Sequence, residues 1–206
     1  MENKSEKEES KLFHLNIICF SPQSSAFKAM DILNQYFMSA ICSDINKIGD
    51  NQVSFKNKIK IGCDREIECV NSYLQINSQK NTKLNNLIDC LVVFFDLEYS
   101  DSLGELNKFL KNLAVLGKND LKTYIMSYYL EEKSIKKNNK EENIQNLLDK
   151  YVFNNSDILK VNMNIHDELI KNIDKITRET LQDKDLIKFD VPDSNESLSH
   201  SICLII

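Results

Sequence analysis

The run IDCLVVFFDL at residues 88–97 constrains the fold more than any other stretch of this sequence. It is nearly continuous in apolar residues, and such a run predicts a strand that is buried on both faces of a sheet. Strands of this kind occur in α/β proteins, in which helices cover both faces. The remaining chain is therefore expected to alternate strands with helices.

Hydrophobic periodicity supports that expectation along the chain. Further strands are predicted at residues 12–20, 53–61, 67–76, 121–130 and 157–163, and Gly62 and Asp64 in the second connection indicate a hairpin. Four helices are predicted between or after these strands. Their apolar stripes are Ala26, Met30, Leu33 and Phe37 in the first; Leu103, Leu106, Leu110 and Leu113 in the second; Ile144, Leu147, Leu148 and Tyr151 in the third; and Ile165, Leu169, Ile173 and Ile176 in the last, over 165–181.

Helix-end signals delimit two of these helices. Ser21 as cap and Pro22 at the first helical position predict a helix that begins directly after the first strand. Ser102 and Glu105 form a capping-box pattern before the second helix, and Gly117 is expected to close it.

This order of elements is that of the small GTPases. We expect an α/β fold with a six-stranded mixed, mostly parallel sheet and helices on both faces. The expected organisation is a tail over 1–11, one domain over 12–182 and a flexible tail over 183–206.

The turn CFSPQSSAFKAM at residues 19–30 is where a small GTPase carries its glycine-rich phosphate loop. That loop needs two glycines, a lysine for the outer phosphates and a hydroxyl for magnesium. The corresponding positions here hold Ser21, Ala26, Phe27 and Lys28, and Pro22 also removes a backbone donor. The sequence predicts a degenerate phosphate loop that binds no nucleotide cofactor.

Two other nucleotide-binding elements are also missing from their expected places. Asn77-Ser78-Gln79-Lys80 stands where a metal-sensing Asp-x-x-Gly is expected, and Tyr128-Tyr129-Leu130-Glu131 stands where a guanine-reading Asn-Lys-x-Asp is expected. The run GKND at 117–120 precedes its strand and is interpreted as a helix end and turn. We therefore predict that the chain cannot organise phosphoryl transfer.

No other enzyme class is indicated. His14, His166 and His200 have no Cys, Ser or carboxylate at a spacing that suggests a triad or a metal site. The pairs Glu141-Glu142 and Asp167-Glu168 are typical of helix N-terminal charge bias. We predict no catalytic residues and no metal.

Charge and cysteine usage restrict the partners and the compartment. A net charge of −5 with a pI near 5.3 argues against direct nucleic-acid binding. The six cysteines form no CxxC pair and lie in apolar or strand-like stretches, which predicts buried thiols in a reducing compartment. The polar, acidic start is unlike a signal peptide, and no apolar run approaches membrane-spanning length.

Residues 88–180 resemble the centromere protein M family, small-GTPase-like pseudo-GTPases of the inner kinetochore. The matching features are Ile88-Asp89, Asp96-Leu97, Tyr99, Ser102-Leu103, Leu116-Gly117-Lys118 and the stretch SDILKVNMNIHDELIKNIDKI at 156–176. The first strand and its glycine-free turn are also similar, whereas residues 40–76 are longer than in that family. The resemblance implies a non-catalytic scaffold at the centromere in the nucleus. Its expected partners are a helical-repeat protein, centromere protein I, together with proteins H and K.

The stretch SICLII at 201–206 favours an alternative. Cys203-Leu204-Ile205-Ile206 fits the prenylation pattern, which makes Cys203 a candidate lipidation site. The other interpretations of this stretch are a chance apolar end and a short segment that docks on the domain. The tail has no polybasic run and is acidic, which weakens membrane anchoring. The alternative function is a prenylated, degenerate Ras-like adaptor in signalling or trafficking at the cytoplasmic face of a membrane.

Overall fold

The computed structural model describes residues 12–25, 27–39, 43–49, 51–61, 65–76, 88–98, 101–130 and 140–187. Its strands are β1 (Leu12–Phe20), β2 (Ser43–Gly49), β3 (Gln52–Ile61), β4 (Arg65–Gln75), β5 (Cys90–Asp96), β6 (Thr123–Tyr129) and β7 (Ser156–Asn162). Its helices are α1 (Ala29–Ser39), α2 (Ser102–Val115), α3 (Lys140–Lys150) and α4 (His166–Asp183).

All strands belong to one mixed sheet with the order β2-β3-β4-β1-β5-β6-β7. The pairs from β4 to β7 are parallel, and β2-β3-β4 are antiparallel. The predicted mixed α/β sheet and its hairpin are confirmed, with Ile61 opposite Arg65. The structure adds a seventh strand, β2, at the edge beyond the six that periodicity indicated. Its sequence, SDINKIG, is too polar to give an apolar alternation.

Helices cover both faces of the sheet. One face packs with α1 and α4 around Leu15, Ile17 and Tyr73, and the other packs with α2 and α3 around Phe20 and neighbouring apolar residues. Every residue of β5 is buried, as the continuous apolar run at 88–97 predicts. β5 is therefore enclosed by both layers, and burial of this apolar surface is the main driving force for folding.

The predicted helix stripes agree with the packing, with one exception. Leu106, Leu110, Leu113, Ile144, Leu148, Leu169, Ile173 and Ile176 are all buried. Ile165 is instead 44% exposed, because it lies at the N-cap of α4 rather than on its buried face. Ala26 lies outside the described residues, as does the side chain of Phe37.

The packing continues beyond the predicted domain boundary at residue 182. α4 ends at Asp183, and Ile187 is buried in the same cluster as Leu15 and Ile17. Residues 1–11 and 188–206, which include the predicted tails and Cys203, lie outside the described residues. Among the described helices, none combines the length and the apolar character needed to cross a membrane.

Candidate functional site at the β1–α1 turn

The turn between β1 and α1 lies at the carboxyl edge of the parallel strands, the place where open α/β sheets bind ligands. α1 begins at Ala29, so the prediction of a helix starting at Pro22 is wrong. Ser21 does serve the helix, because its Oγ accepts a hydrogen bond from Ala29 N at 3.0 Å. The residues between them form a loop that includes a turn from Pro22 O to Ser25 N.

Lys28 folds its side chain back into this loop. Its Nζ donates to Ser25 O at 3.0 Å, to Pro22 O at 3.3 Å and to Gln23 O. A phosphate loop does the opposite, because its backbone N–H groups point inward at an anion. The loop therefore surrounds a cation with carbonyl oxygens, and a phosphate group would meet repulsive dipoles at the same place.

Glu105 supplies the anion that the loop's N–H groups contact. Its two carboxylate oxygens accept hydrogen bonds from Gln23 N at 2.7 Å and from Ser24 N at 3.1 Å. Partial burial opposes ionisation of Glu105, but the hydrogen bonds from Gln23 and Ser24 and the nearby Lys28 together lower its pKa below the usual value. The carboxylate of α2 thus satisfies N–H groups that would otherwise be free to bind a ligand.

The capping box predicted for α2 is wrong for the same reason. The N-cap residue is Asp101 and makes no side-chain cap bond, while Glu105 reaches across to the β1–α1 turn. Ser102 Oγ donates to Asp96 O at 3.3 Å, which ties the helix start to the end of β5. Ser102 and Glu105, the two residues of the capping-box pattern, thus bond to the end of β5 and to the β1–α1 loop instead of capping α2.

Two aromatic residues close the other side of the loop. Tyr128 OH donates to Phe27 O at 2.9 Å and accepts from Phe27 N at 3.3 Å. The two rings meet edge to face with centroids 6.0 Å apart. Phe27 is the residue at the predicted lysine position, and Tyr128 is the first residue of the stretch that stands at the base-reader position. The side chains at both positions pack against each other.

The remaining nucleotide-binding positions are only partly described. Asn77, Ser78, Gln79, Lys80 and Glu131 lie outside the described residues. The run at 117–120 connects α2 to the amino end of β6, so it lies at the opposite edge of the sheet from the loop. Gly117 has a φ of +66°, and its N–H bonds to Ala114 O, which confirms the predicted helix end.

The histidines and acidic pairs do not converge on a site among the described side chains. His14 is exposed on β1, while the side chain of His166 and all of His200 lie outside the described residues. Glu141 pairs with Lys160 at 2.8 Å, and Glu168 accepts from Asn162 N at 2.8 Å. No cluster of metal-ligating side chains occurs in the described part of the chain.

Three cysteines are buried in the core, as the sequence predicts. Cys19, Cys69 and Cys90 are free thiols on three neighbouring strands. Burial raises the pKa of Cys69 and of Cys90 to about 12, so both stay protonated at neutral pH and are poor nucleophiles. Cys42, Cys63 and Cys203 lie outside the described residues.

Glu105 is the site residue that the sequence did not indicate. Its partners Gln23 and Ser24 are more than eighty positions away. The only available signal is topological: β1 and β5 are adjacent and parallel, so the loops that follow them meet at one edge. No local pattern distinguishes a glutamate that reaches across this edge from one that caps its own helix.

Comparison with known proteins identifies no family. The chain matches no protein-family model and, at a significant level, no curated protein.

Proposed function

We propose that this chain is a non-catalytic pseudo-GTPase scaffold. The observation that carries the proposal is the internal occupation of the β1–α1 loop by the Lys28 ammonium and the Glu105 carboxylate. Glu105 accepts the hydrogen bonds from Gln23 N and Ser24 N that an anionic phosphate would accept, and the carbonyl oxygens of the loop hold the Lys28 ammonium. A domain that has lost its contacts to a nucleotide retains a rigid surface for protein partners.

We further propose the inner kinetochore as the assembly, on the basis of the resemblance to centromere protein M. The partner is then a large helical protein of the centromere protein I type, with proteins H and K in the same complex. The net charge of −5 supports a protein partner rather than direct contact with DNA.

Calorimetric titration with GTP and with ATP, each in the presence of magnesium, tests the loss of ligand binding. We expect no binding heat, because the loop presents carbonyl oxygens inward and its Gln23 and Ser24 N–H groups already bind Glu105. Micromolar affinity for either nucleotide would contradict the proposal. The matched variant Glu105→Gln keeps an acceptor of similar shape without the charge, and it should also fail to bind.

A further inference from the structure

Three helices of this domain end in the same hydrogen-bonded arrangement, in which the residue after the cap adopts a left-handed conformation. These residues are Gly117 after α2, Val152 after α3 and Asp185 after α4, with φ values of 66°, 62° and 54°. In each case the following residue donates back five positions, as Phe153 N does to Leu148 O at 2.9 Å. This is the Schellman motif, which strongly favours glycine and tolerates Asn or Asp.

Of these three residues, Val152 is the one whose side chain does not suit a left-handed conformation. A β-branched side chain at positive φ is strained, and here it is also 52% exposed, so core packing does not explain it. The chain contains 24 asparagines, two of them at 154 and 155, and Asn at position 152 would relieve the strain. A strained residue kept at the surface points to a contact that requires its side chain.

Other exposed apolar side chains lie at the end of α2, the helix that packs in the same cluster as α3. Val115 is 79% exposed and Leu116 is 50% exposed, both at the end of α2. Asn119 Nδ2 donates to Val152 O at 3.4 Å and joins the ends of α2 and α3. Val115, Leu116 and Val152 are called the Val152 patch below.

We propose that the Val152 patch is the docking site for residues 202–206 of the same chain, Ile202-Cys203-Leu204-Ile205-Ile206. The first observation is the edge of the sheet at which α4 ends. Lys184, just after α4, pairs with Asp89 at the start of β5, and the described chain continues to Ile187, which is buried on the α1–α4 face. Leu91, Thr123 and Ser156 are paired across β5, β6 and β7, so the connections from α2 to β6 and from α3 to β7, which carry the patch, lie at this same amino edge on the other face.

Length and chemistry agree with this occupant. Residues 188–201 can span up to about 45 Å when extended. The segment 202–206 is wholly apolar, like the patch. The charged residues within five positions of the patch residues have a net positive charge, with Lys111, Lys118 and Lys150 against Asp120 and Asp149. The connecting residues have a net negative charge, with Asp190, Asp193 and Glu196 against Lys188.

Docking shields an apolar patch and an apolar segment at once, which reduces the tendency of each to associate with other molecules. It also holds Cys203 against the domain, so access of any modifying enzyme to this thiol depends on release of the segment. This docking is independent of whether the domain is a kinetochore subunit.

The test is paramagnetic broadening in the full-length chain. A nitroxide is attached at Ser199→Cys in a chain whose Cys42 and Cys63 are replaced by Ser and whose Cys203 is replaced by Ala, which keeps the segment apolar, since the described cysteines are buried. The amide signals of residues 115–118 and 151–154 should lose most of their intensity. The amide of Ile165, exposed at the opposite edge of the sheet, should stay sharp.

Variants of the patch and of the segment test whether their apolar side chains make the docking contact. Val152→Asn should abolish the broadening while the protein stays folded, because Asn fits the left-handed position. Ile165→Asn, a matched change at an exposed apolar residue, should leave the broadening intact. Replacing Leu204 and Ile205 by Ser should also abolish it.

Three results would overturn the proposal. The patch signals could stay sharp, which would mean that the segment does not dock there. The broadening could occur instead at Leu12 of β1 and Leu74 of β4, which are also exposed apolar residues. It could also persist when the nitroxide and the isotope label are on different chains, which would make the occupant a second copy.

Discussion

Glu105 joins α2 to the β1–α1 loop by two charge-assisted hydrogen bonds. Replacing it by Ala leaves Gln23 N and Ser24 N without this acceptor. Because the site is partly solvated, we expect a loss of about 1 kcal/mol in the free energy of unfolding, measured by urea denaturation at neutral pH. Glu142→Ala, a change in the first turn of α3 at an exposed residue, is the control and should cost less. Equal losses would mean that Glu105 acts only as a first-turn charge.

The same residue predicts a pH dependence. The pKa of Glu105 is lower in the folded state than its ordinary value of 4.5, so the unfolded state binds the proton more readily. The stabilisation is therefore complete above the unfolded pKa and is lost as the pH falls through the lower folded pKa. Wild type should be more stable than Glu105→Gln at neutral pH, and this difference should vanish in acid. A difference that does not change with pH would show that the charge is not involved.

Val152 predicts a substitution that increases stability. In a chain whose Leu204 and Ile205 are replaced by Ser, so that the segment 202–206 does not dock, Val152→Asn should raise the free energy of unfolding by about 1 kcal/mol, because a left-handed conformation strains a β-branched residue by about that amount. Gly117→Ala provides the reverse experiment: a Cβ there meets no atom within 4 Å, so only the backbone strain at φ +66° remains. It should destabilise by a similar amount in the same denaturation assay. A destabilising Val152→Asn would contradict the strain argument.

At the scale of elements, the two helical layers depend on their buried stripes. Leu106 in α2 and Ile173 in α4 are almost completely buried, on opposite faces of the sheet. Truncating either to Ala should cost about 2–5 kcal/mol, the usual range for cavity-forming changes. Lys108→Ala and Lys171→Ala, at exposed positions of the same helices, should change stability by no more than about 0.5 kcal/mol. Chemical denaturation of the four variants distinguishes these classes.

Hydrophobic periodicity predicted the elements that bury an apolar face. It failed for β2, for the start of α1 and for the partners of Glu105, which are determined by hydrogen bonding. β1 and the stripes of α2 and α4 were found because burial requires a repeat that the sequence displays. β2 was missed because edge pairing with β3 needs no apolar alternation. The start of α1 and the role of Glu105 were missed for a related reason: the same letters, Ser-Pro or Ser-x-x-Glu, suit a local cap and a contact between elements. Only the order of the strands decides between them.

At the scale of the whole molecule, the sheet order brings the charges of the site together. Lys28 follows β1 and Glu105 follows β5, and these parallel neighbours end at the same edge. A ligand normally supplies the charge that balances such an edge, where backbone N–H groups are exposed. Here two side chains of the chain supply it, so the Gln23 and Ser24 N–H groups are hydrogen-bonded without a ligand. Association with a partner should then be insensitive to nucleotide.

The expected insensitivity of partner association to nucleotide can be tested in cells. The protein is tagged at the N-terminus, so that a tag does not block Cys203, and captured at moderate salt with and without added nucleotide. Because Lys28 and Glu105 occupy the loop internally, the recovered complex should be the same in both conditions, and mass spectrometry should identify inner-kinetochore subunits.

The matched control for this capture experiment is Cys203→Ser, which should recover the same subunits if the domain carries the interaction. Recovery of membrane-trafficking proteins that disappear with Cys203→Ser would favour the lipid-anchored adaptor instead. A monomer without any stoichiometric companion would contradict both functions.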